Sequence, residues 1–271
     1  MNRSRAPLIM CGVFAYCSSA YLGFHLYKVY NLPTPPATIA DPMHQRITTC
    51  THNHGVYSAM ADRYDDEIGW DEWLMGLERR RKRAVERCNG LVLETAAGTG
   101  RNLSHFAKNT TTESLTLTDA SAPMLQKAFQ LLKAISKDAP STSSTMPPVK
   151  FSVLDTNGTI PPENVGHFDT VLDTFGLCSM QDPVQSLENM REMLKSGGKM
   201  VLLEHGRSDF PLFSEWINAA LDKTAQFHAD RWGCWWNRDL EAVVRGVGGL
   251  KIESVERFHF GTTIEIVAVK E

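Results

Sequence analysis

Three observations predict an α/β fold for this chain of 271 residues. From Asn89 onward, short β-rich runs alternate with helical ones, the mark of a parallel sheet covered on both faces. The first of these runs passes straight into a glycine-containing turn and then a helix, the point at which such a sheet brings its backbone closest to a nucleotide-like ligand. The last two runs flank a turn at 259–261 and read as a terminal hairpin with one antiparallel strand.

The elements follow from the N-terminus. Between Arg5 and Lys28 lie 22 residues without Asp, Glu, Lys or Arg, which as a helix would measure about 33 Å against a hydrocarbon core of about 30 Å. This predicts a single transmembrane helix at about 7–27 within an N-terminal segment 1–30, with Tyr21, Tyr27 and Tyr30 as an interfacial girdle. A cleaved signal peptide ending near Ser18 and Ala20 is the competing reading, disfavoured because apolar residues continue to Tyr27. A Pro-rich linker (Pro33, Pro35, Pro36) then opens a stretch at 31–54. There Cys50, His52 and His54 lack a second ligand pair, so a polar loop is expected, and no metal site is expected in the chain.

The 55–88 segment has helical periodicity in Tyr57, Met60, Tyr64 and Ile68, with Trp70, Trp73, Leu74 and Leu77 on a second face. The run Arg79-Arg80-Arg81-Lys82-Arg83 sits on the second helix and reads as a solvated face, with contact to anionic lipid as the alternative. Strands are expected at 90–95, 114–119, 149–155, 168–173 and 199–204, then 250–257 and 263–270. Helices are expected at 102–108, 123–136, 184–196 and 213–227, and 139–148 is a Pro- and Ser-rich insertion.

Composition sets the outer limits. A formal charge of −3 offers no polycationic surface, so nucleic acid is an unfavoured partner. The mean hydropathy of −0.24 excludes a polytopic membrane protein. Six scattered cysteines without a CxxC pair indicate a reducing compartment. Three glycosylation sequons begin at Asn102, Asn109 and Asn157 within the candidate site region, which argues against an ER-lumenal domain.

The chemistry concentrates after the first core strand, in Glu94-Thr95-Ala96-Ala97-Gly98-Thr99-Gly100-Arg101-Asn102-Leu103. A dinucleotide fingerprint would place a third glycine where Leu103 stands, which disfavours NAD. A ligand with adenosine and no phosphate fits better, needing only close backbone approach at Gly98 and Gly100; S-adenosylmethionine is such a ligand. Asp119 closes the second strand as a ribose acceptor, Asp155 the third as an acceptor from the adenine amino group, and Asp173 the fourth. Taken singly, each Asp could equally cap a helix.

Together, this order of elements resembles the class I S-adenosylmethionine-dependent methyltransferases, a Rossmann-like seven-stranded fold, over 55–271. The segments Gly176 to Pro183, Leu194 to Lys199, Leu203 to Ser208 and Gly233 to Asp239 are similar to membrane-anchored methyltransferase-like proteins related to the fungal mitochondrial suppressor of oxidase-assembly mutants. More distantly they resemble the animal thiol methylases and quinone C-methyltransferases. The resemblance implies a cofactor site of Tyr64, Glu94, Ala96, Gly98, Gly100, Asn102, Asp119, Ala120, Met124, Asp155, Thr156 and Asp173.

His205, beyond the fifth strand on the ligand-binding edge, is the choice for a base or substrate-orienting group; its bland reading is a loop histidine bonded to backbone. His228, Asp230 and Cys234 fall where substrate lids are built, and Trp232, Trp235 and Trp236 are an aromatic substrate wall or core. The expected function is methyl transfer to a small, apolar or lipid-like acceptor at a membrane. Its rival is a catalytically silent assembly factor partnered with a mitochondrial membrane complex. Asp173-Thr174-Phe175-Gly176 in place of an Asn-Pro-Pro-Tyr-like motif tilts away from amine and base acceptors. The expected location is the mitochondrial inner membrane, with the ER membrane and a cytosolic domain as the alternative.

Overall fold

The structure is a computed structural model that describes residues 53–138 and 146–271, together with Ser19, Gly23, Phe24, Tyr27 to Val29, Asn31 and Leu32. The expected span at about 7–27 lies, those positions apart, outside the described residues, as do most of the linker at 31–54, Cys50 and His52, and the insertion at 139–145. Among the described residues no helix is long and apolar enough to cross a membrane.

Three helices lead in: α1 (Asn53–Met60), α2 (Tyr64–Met75) and α3 (Leu77–Glu86), where periodicity alone had suggested two. The break is Gly76, whose φ of 64° ends α2 in a left-handed cap before α3 starts. The remaining order is β1 (Gly90–Thr95), α4 (Leu103–Phe106), β2 (Thr112–Asp119), α5 (Ala122–Asp138), β3 (Val149–Val153), β4 (Phe168–Thr174), α6 (Pro183–Met193), β5 (Leu194–His205), α7 (Ser214–Trp232), α8 (Leu240–Gly246), β6 (Leu250–Phe258) and β7 (Thr263–Lys270).

All seven strands join one sheet in the order β3-β2-β1-β4-β5-β7-β6. β1 to β5 are parallel, while β7 runs antiparallel to both β5 and β6, so the predicted mixed sheet with its terminal hairpin is the observed one. Successive residues of the central strands feed opposite cores, as the strand period of two requires. Val92, Leu172 and Val201 pack with Phe106, Leu115 and Leu125 on the side of α3 to α5. Leu93, Val171 and Leu202 pack with Leu187, Met190 and Val243 on the side of α6 and α8.

Several boundaries move. The helix expected to 196 stops at Met193 because β5 starts at Leu194, and β3 ends at Val153, leaving Asp155 on the loop beyond it. The helix expected to 227 continues to Trp232, where Gly233 caps it, so His228 and Asp230 are helical. The short helix α8 was not expected; Asp239 caps it by accepting from the Ala242 N–H at 3.1 Å.

The basic run is not a uniformly solvated face. Arg81 is 4% exposed, and it donates to Glu72 Oε1 at 2.8 Å and to Thr174 Oγ1 at 2.8 Å, tying α3 to α2 and to the end of β4. Arg80 stacks on the Phe258 ring and Arg83 pairs with Glu256. The charge run is an interface within the molecule on these sides, and Arg79 and Lys82 remain exposed.

One buried cation holds the turn after β4 from the far side of the sheet. Arg238 Nη1 donates to the carbonyls of Leu177, Cys178 and Met180 at 3.2, 3.1 and 2.7 Å. Arg238→Ala takes a donor from three carbonyls, leaves that of Met180 without one and opens a void, so chemical denaturation should show a loss of about 3 kcal/mol, partly restored by Arg238→Lys.

Candidate functional site: two cavities that meet at an aromatic wall

The carboxyl ends of β1, β2 and β4 and the loop after β3 surround a cavity lined by Tyr64, Ala96, Gly98, Asp119, Ala120, Met124, Asp155 and Thr156, eight of the twelve residues expected for the cofactor. The turn after β1 is held in left-handed conformations, with φ of 46° at Ala96, 57° at Gly98 and 84° at Gly100. The two glycines serve different ends. No atom lies within 4 Å of a Cβ built on Gly98, so its missing side chain is space given to the cavity. A Cβ on Gly100 would meet Leu103 Cδ1 at 2.7 Å and Ala128 Cβ at 3.0 Å, so that glycine serves the packing of the loop on α5.

Asp119 locks the turn to β2. Its Oδ2 accepts from the Gly98 N–H at 2.9 Å and its Oδ1 from the Ser121 N–H at 2.7 Å. A carboxylate so oriented has the acceptor capacity for vicinal hydroxyls, since it takes up to about four hydrogen bonds. Asp155 lies on the cavity wall, with Oδ1 accepting from the Asn157 N–H at 2.8 Å.

The other four expected residues, Glu94, Gly100, Asn102 and Asp173, are not on the cavity wall but behind it. Asn102 donates to Glu94 Oε1 at 2.8 Å and to Thr174 Oγ1 at 3.0 Å. Burial pushes the Glu94 carboxyl up to about 8, the Asn102 bond and the Arg81 charge opposing it only in part. Asp173 accepts from Thr95 Oγ1 at 2.6 Å and from the N–H groups of Gly176 and Leu177 at 2.9 and 3.0 Å. Glu204 lies against Asp173, and burial raises both carboxyls, with the charge of Asp173 raising Glu204 further. These acids brace the loops that form the wall.

Among the wall residues that sequence reasoning missed, Tyr57, Phe175, Arg81 and Arg101 shape the cavity most. Tyr57 of α1 hydrogen-bonds with Ser179 Oγ at 2.8 Å, and Phe175 sits at φ 61° with its ring 5.0 Å from the Arg81 guanidinium. Arg101 and Arg81 both reach Glu72, where burial works against the carboxylate but the two guanidiniums outweigh it and hold it below its usual range. The helical period flagged Tyr57 without its role. A left-handed phenylalanine leaves no mark in a sequence.

A second cleft of about 640 Å³ shares Tyr57, Tyr64 and Phe175 with the first. It is lined further by His205, His228, Trp232, Cys234 and Trp236, whereas Trp235 is core and Asp230 is solvent-exposed, bonded to Gln226. His228 donates from Nδ1 to the Cys234 carbonyl at 2.8 Å and stacks on Trp236, and burial lowers its pKa, keeping the ring neutral. His205, at the end of β5, has its Nδ1 between Cys178 Sγ at 3.8 Å and Cys234 Sγ at 3.4 Å. The expectation of no metal-ligating cluster therefore did not anticipate this grouping.

Residues 93–200 match a family described as a methyltransferase domain. The fold also matches a chain from the complex of the Haloferax volcanii Trm112 methyltransferase activator with its methyltransferase (15% identity, 79% of this chain and 97% of that one, TM-score 0.56). It matches the cyclase SpnF as well (16% identity, 71% and 80%, TM-score 0.53). The open face of Gly98 beside the Asp119 carboxylate fits an adenosyl ligand, and the chain belongs to the class I S-adenosylmethionine-dependent methyltransferases, with S-adenosylmethionine as cofactor. Within them it is related to the mitochondrial methyltransferase OMS1 of Saccharomyces cerevisiae, with 31% identity over 252 residues, 85% of this chain and 49% of OMS1. The chain thus spans about half the length of that relative. It is also 28% identical over 168 residues to the ubiquinone/menaquinone biosynthesis C-methyltransferase UbiE of Bdellovibrio bacteriovorus, covering 60% of this chain and 66% of UbiE.

The raised Glu94 carboxyl has a signed consequence for stability. Between its ordinary value of 4.5 and about 8, the folded state keeps a proton that the unfolded state has lost. Stability therefore falls as pH rises through that window, by up to about 1.4 kcal/mol per pH unit for one group. Thermal unfolding from pH 5 to 8 should fall less steeply in Glu94→Gln than in wild type; parallel curves would contradict a protonated Glu94.

Proposed function

We propose that this protein is a membrane-anchored methyltransferase acting on a small, apolar or lipid-like acceptor, with an anchor in 1–30, a linker at 31–54 and the catalytic domain at 55–271. The observation that carries this reading is the second cleft. Its wall is mainly aromatic and aliphatic with Glu72, Arg231, His205 and His228 among it, it meets the cofactor cavity at Tyr57, Tyr64 and Phe175, and exposed Leu74, Met75 and Phe227 are among its lining. Trp70 and Trp73 stack at 5.1 Å on the same helix as Leu74 and stand 68% and 67% exposed. Apolar side chains left in the open beside a cavity suit an acceptor that arrives from a bilayer.

The uncharged stretch from Ala6 to Tyr27 supports the anchor. OMS1 is described as mitochondrial, which supports a mitochondrial location and, with an anchor, the inner membrane. UbiE is a quinone-pathway C-methyltransferase, which favours an apolar acceptor here.

S-adenosylmethionine, when bound, supplies a methyl already activated on a sulfonium. Little covalent work then falls to the chain. Asp119 and Asp155 would hold the ribose and adenine, and the open face of Gly98 would let the ligand approach. Tyr57, Tyr64 and Phe175 screen the junction from water and align the acceptor for in-line attack. His205, on the acceptor side, orients the acceptor or takes its proton.

Calorimetry on the full chain should show S-adenosylmethionine binding that Asp119→Ala weakens by tenfold or more and Gly98→Val abolishes; wild-type affinity in both would remove these residues from the site.

The function is tested by incubating the full chain with methyl-labelled S-adenosylmethionine and a mitochondrial lipid extract. Label should enter an apolar product, and His205→Ala should lower the rate about 10²-fold with cofactor affinity nearly unchanged. Cofactor binding without any labelled apolar product would overturn the proposed acceptor class.

A further inference from the structure

We infer that Cys178, His205 and Cys234 form a binding site for a zinc-class divalent ion, with its open coordination position facing the second cleft. Cys178 lies in the turn after β4, His205 at the end of β5 and Cys234 after α7, and their three ligand atoms are within 4.8 Å of one another. Both cysteines are free and buried. Their sulfurs stand 3.1 Å apart, Cys234 donating to Cys178 in a thiol–thiol hydrogen bond, so the two side chains converge on one point. With His205 Nδ1 at 3.4 and 3.8 Å from the two sulfurs, the three atoms can share one ion at the zinc distances of about 2.3 Å to sulfur and about 2.0 Å to nitrogen once the sulfurs part toward tetrahedral spacing.

The donor set selects the ion class. Two thiolates and an imidazole are ligands for zinc and for copper(I), not for magnesium or calcium. Binding a dication displaces the two thiol protons to solvent, and two thiolates then cancel its charge, so the loaded site is neutral, as burial demands.

The backbone around both cysteines is fixed by bonds that leave the sulfurs to converge. The Cys178 N–H donates to Glu204 Oε2 at 3.1 Å, and the Cys178 carbonyl accepts from Arg238 Nη1 at 3.1 Å and from the Trp235 N–H at 3.0 Å. The Cys234 carbonyl accepts from His228 Nδ1 at 2.8 Å. Such outer bonds orient ligands at metal sites. Three protein ligands with a fourth position open to a cavity is the arrangement of reactive zinc sites, and His205 and Cys234 both line the cleft. Use of that position by an acceptor atom rests on the acceptor-cleft reading above and would have His205 orient the acceptor through the metal and not as a free base; the metal site itself does not rest on that reading.

The test uses the full chain, reduced and purified without chelator. Elemental analysis should find about one zinc per chain. Cobalt(II) substitution should give thiolate-to-metal charge-transfer absorption that is lost in Cys178→Ser and Cys234→Ser and kept in Cys88→Ser, a buried free thiol elsewhere. Calorimetry with S-adenosylmethionine reports whether Cys234→Ser is folded. If it is not, X-ray absorption of the zinc-loaded wild type must show two sulfurs and one nitrogen. Wild type that binds cofactor but takes up neither metal, an unchanged cobalt spectrum in folded Cys234→Ser, or a metal-free Cys178–Cys234 disulfide under these conditions overturns the proposal. Metal uptake is read without turnover, so a metal-loaded chain that methylates no apolar acceptor refutes only the proposed function, and methylation by a metal-free chain refutes only the use of the open position by the acceptor.

Discussion

The constraint on which the rest of the structure depends is the burial of three carboxyls, Glu94, Asp173 and Glu204, near the ends of three adjacent central strands. Each is 1% exposed or less. A buried carboxylate is costly unless it is neutral or fully bonded. Glu94 and the Asp173–Glu204 pair meet that condition through carboxyl pKa values that burial raises and by collecting donors from Asn102, Thr95, Cys178, Gly176 and Leu177. Those donors belong to the loops after β1 and β4. The acids thereby dictate the paths of both loops, and with them the cavity wall.

From this seam the order spreads outward through Thr174. It accepts from Asn102 on one side and Arg81 on the other, and Arg81 continues to Glu72, Arg101 and Asp65. Helix α2 is therefore wired to the loop it roofs. The family match covers 93–200, yet Tyr57, Tyr64, His205 and Trp236 all lie outside it. The part of the molecule common to the class supplies most of the cofactor cavity, and the second cleft is lined almost wholly by residues outside that match. That division is how one fold serves many reactions.

Much of the fold was legible in the sequence because its strands are apolar runs closed by Asp or Gly, a pattern that local sterics and burial both enforce. Gly98 and Asp119 were readable for the same reason. Arg81 was not, because a charge run says nothing about which single guanidinium finds a buried carboxylate. Gly100 was legible as a required glycine and assigned to the ligand, whereas the atoms a side chain would strike belong to Leu103 and Ala128. The trio at Cys178, His205 and Cys234 is spread over 56 positions, and only the return of the chain after α7 brings it together.

The strand order carries a consequence for how the molecule comes into being. β6 touches the sheet only through β7, which follows it in the chain and inserts against β5. During synthesis the five parallel strands and β6 emerge before the element that unites them, and until then β5 is an open apolar edge. The nascent domain therefore passes through a stage in which its own centre is an exposed template for foreign strands.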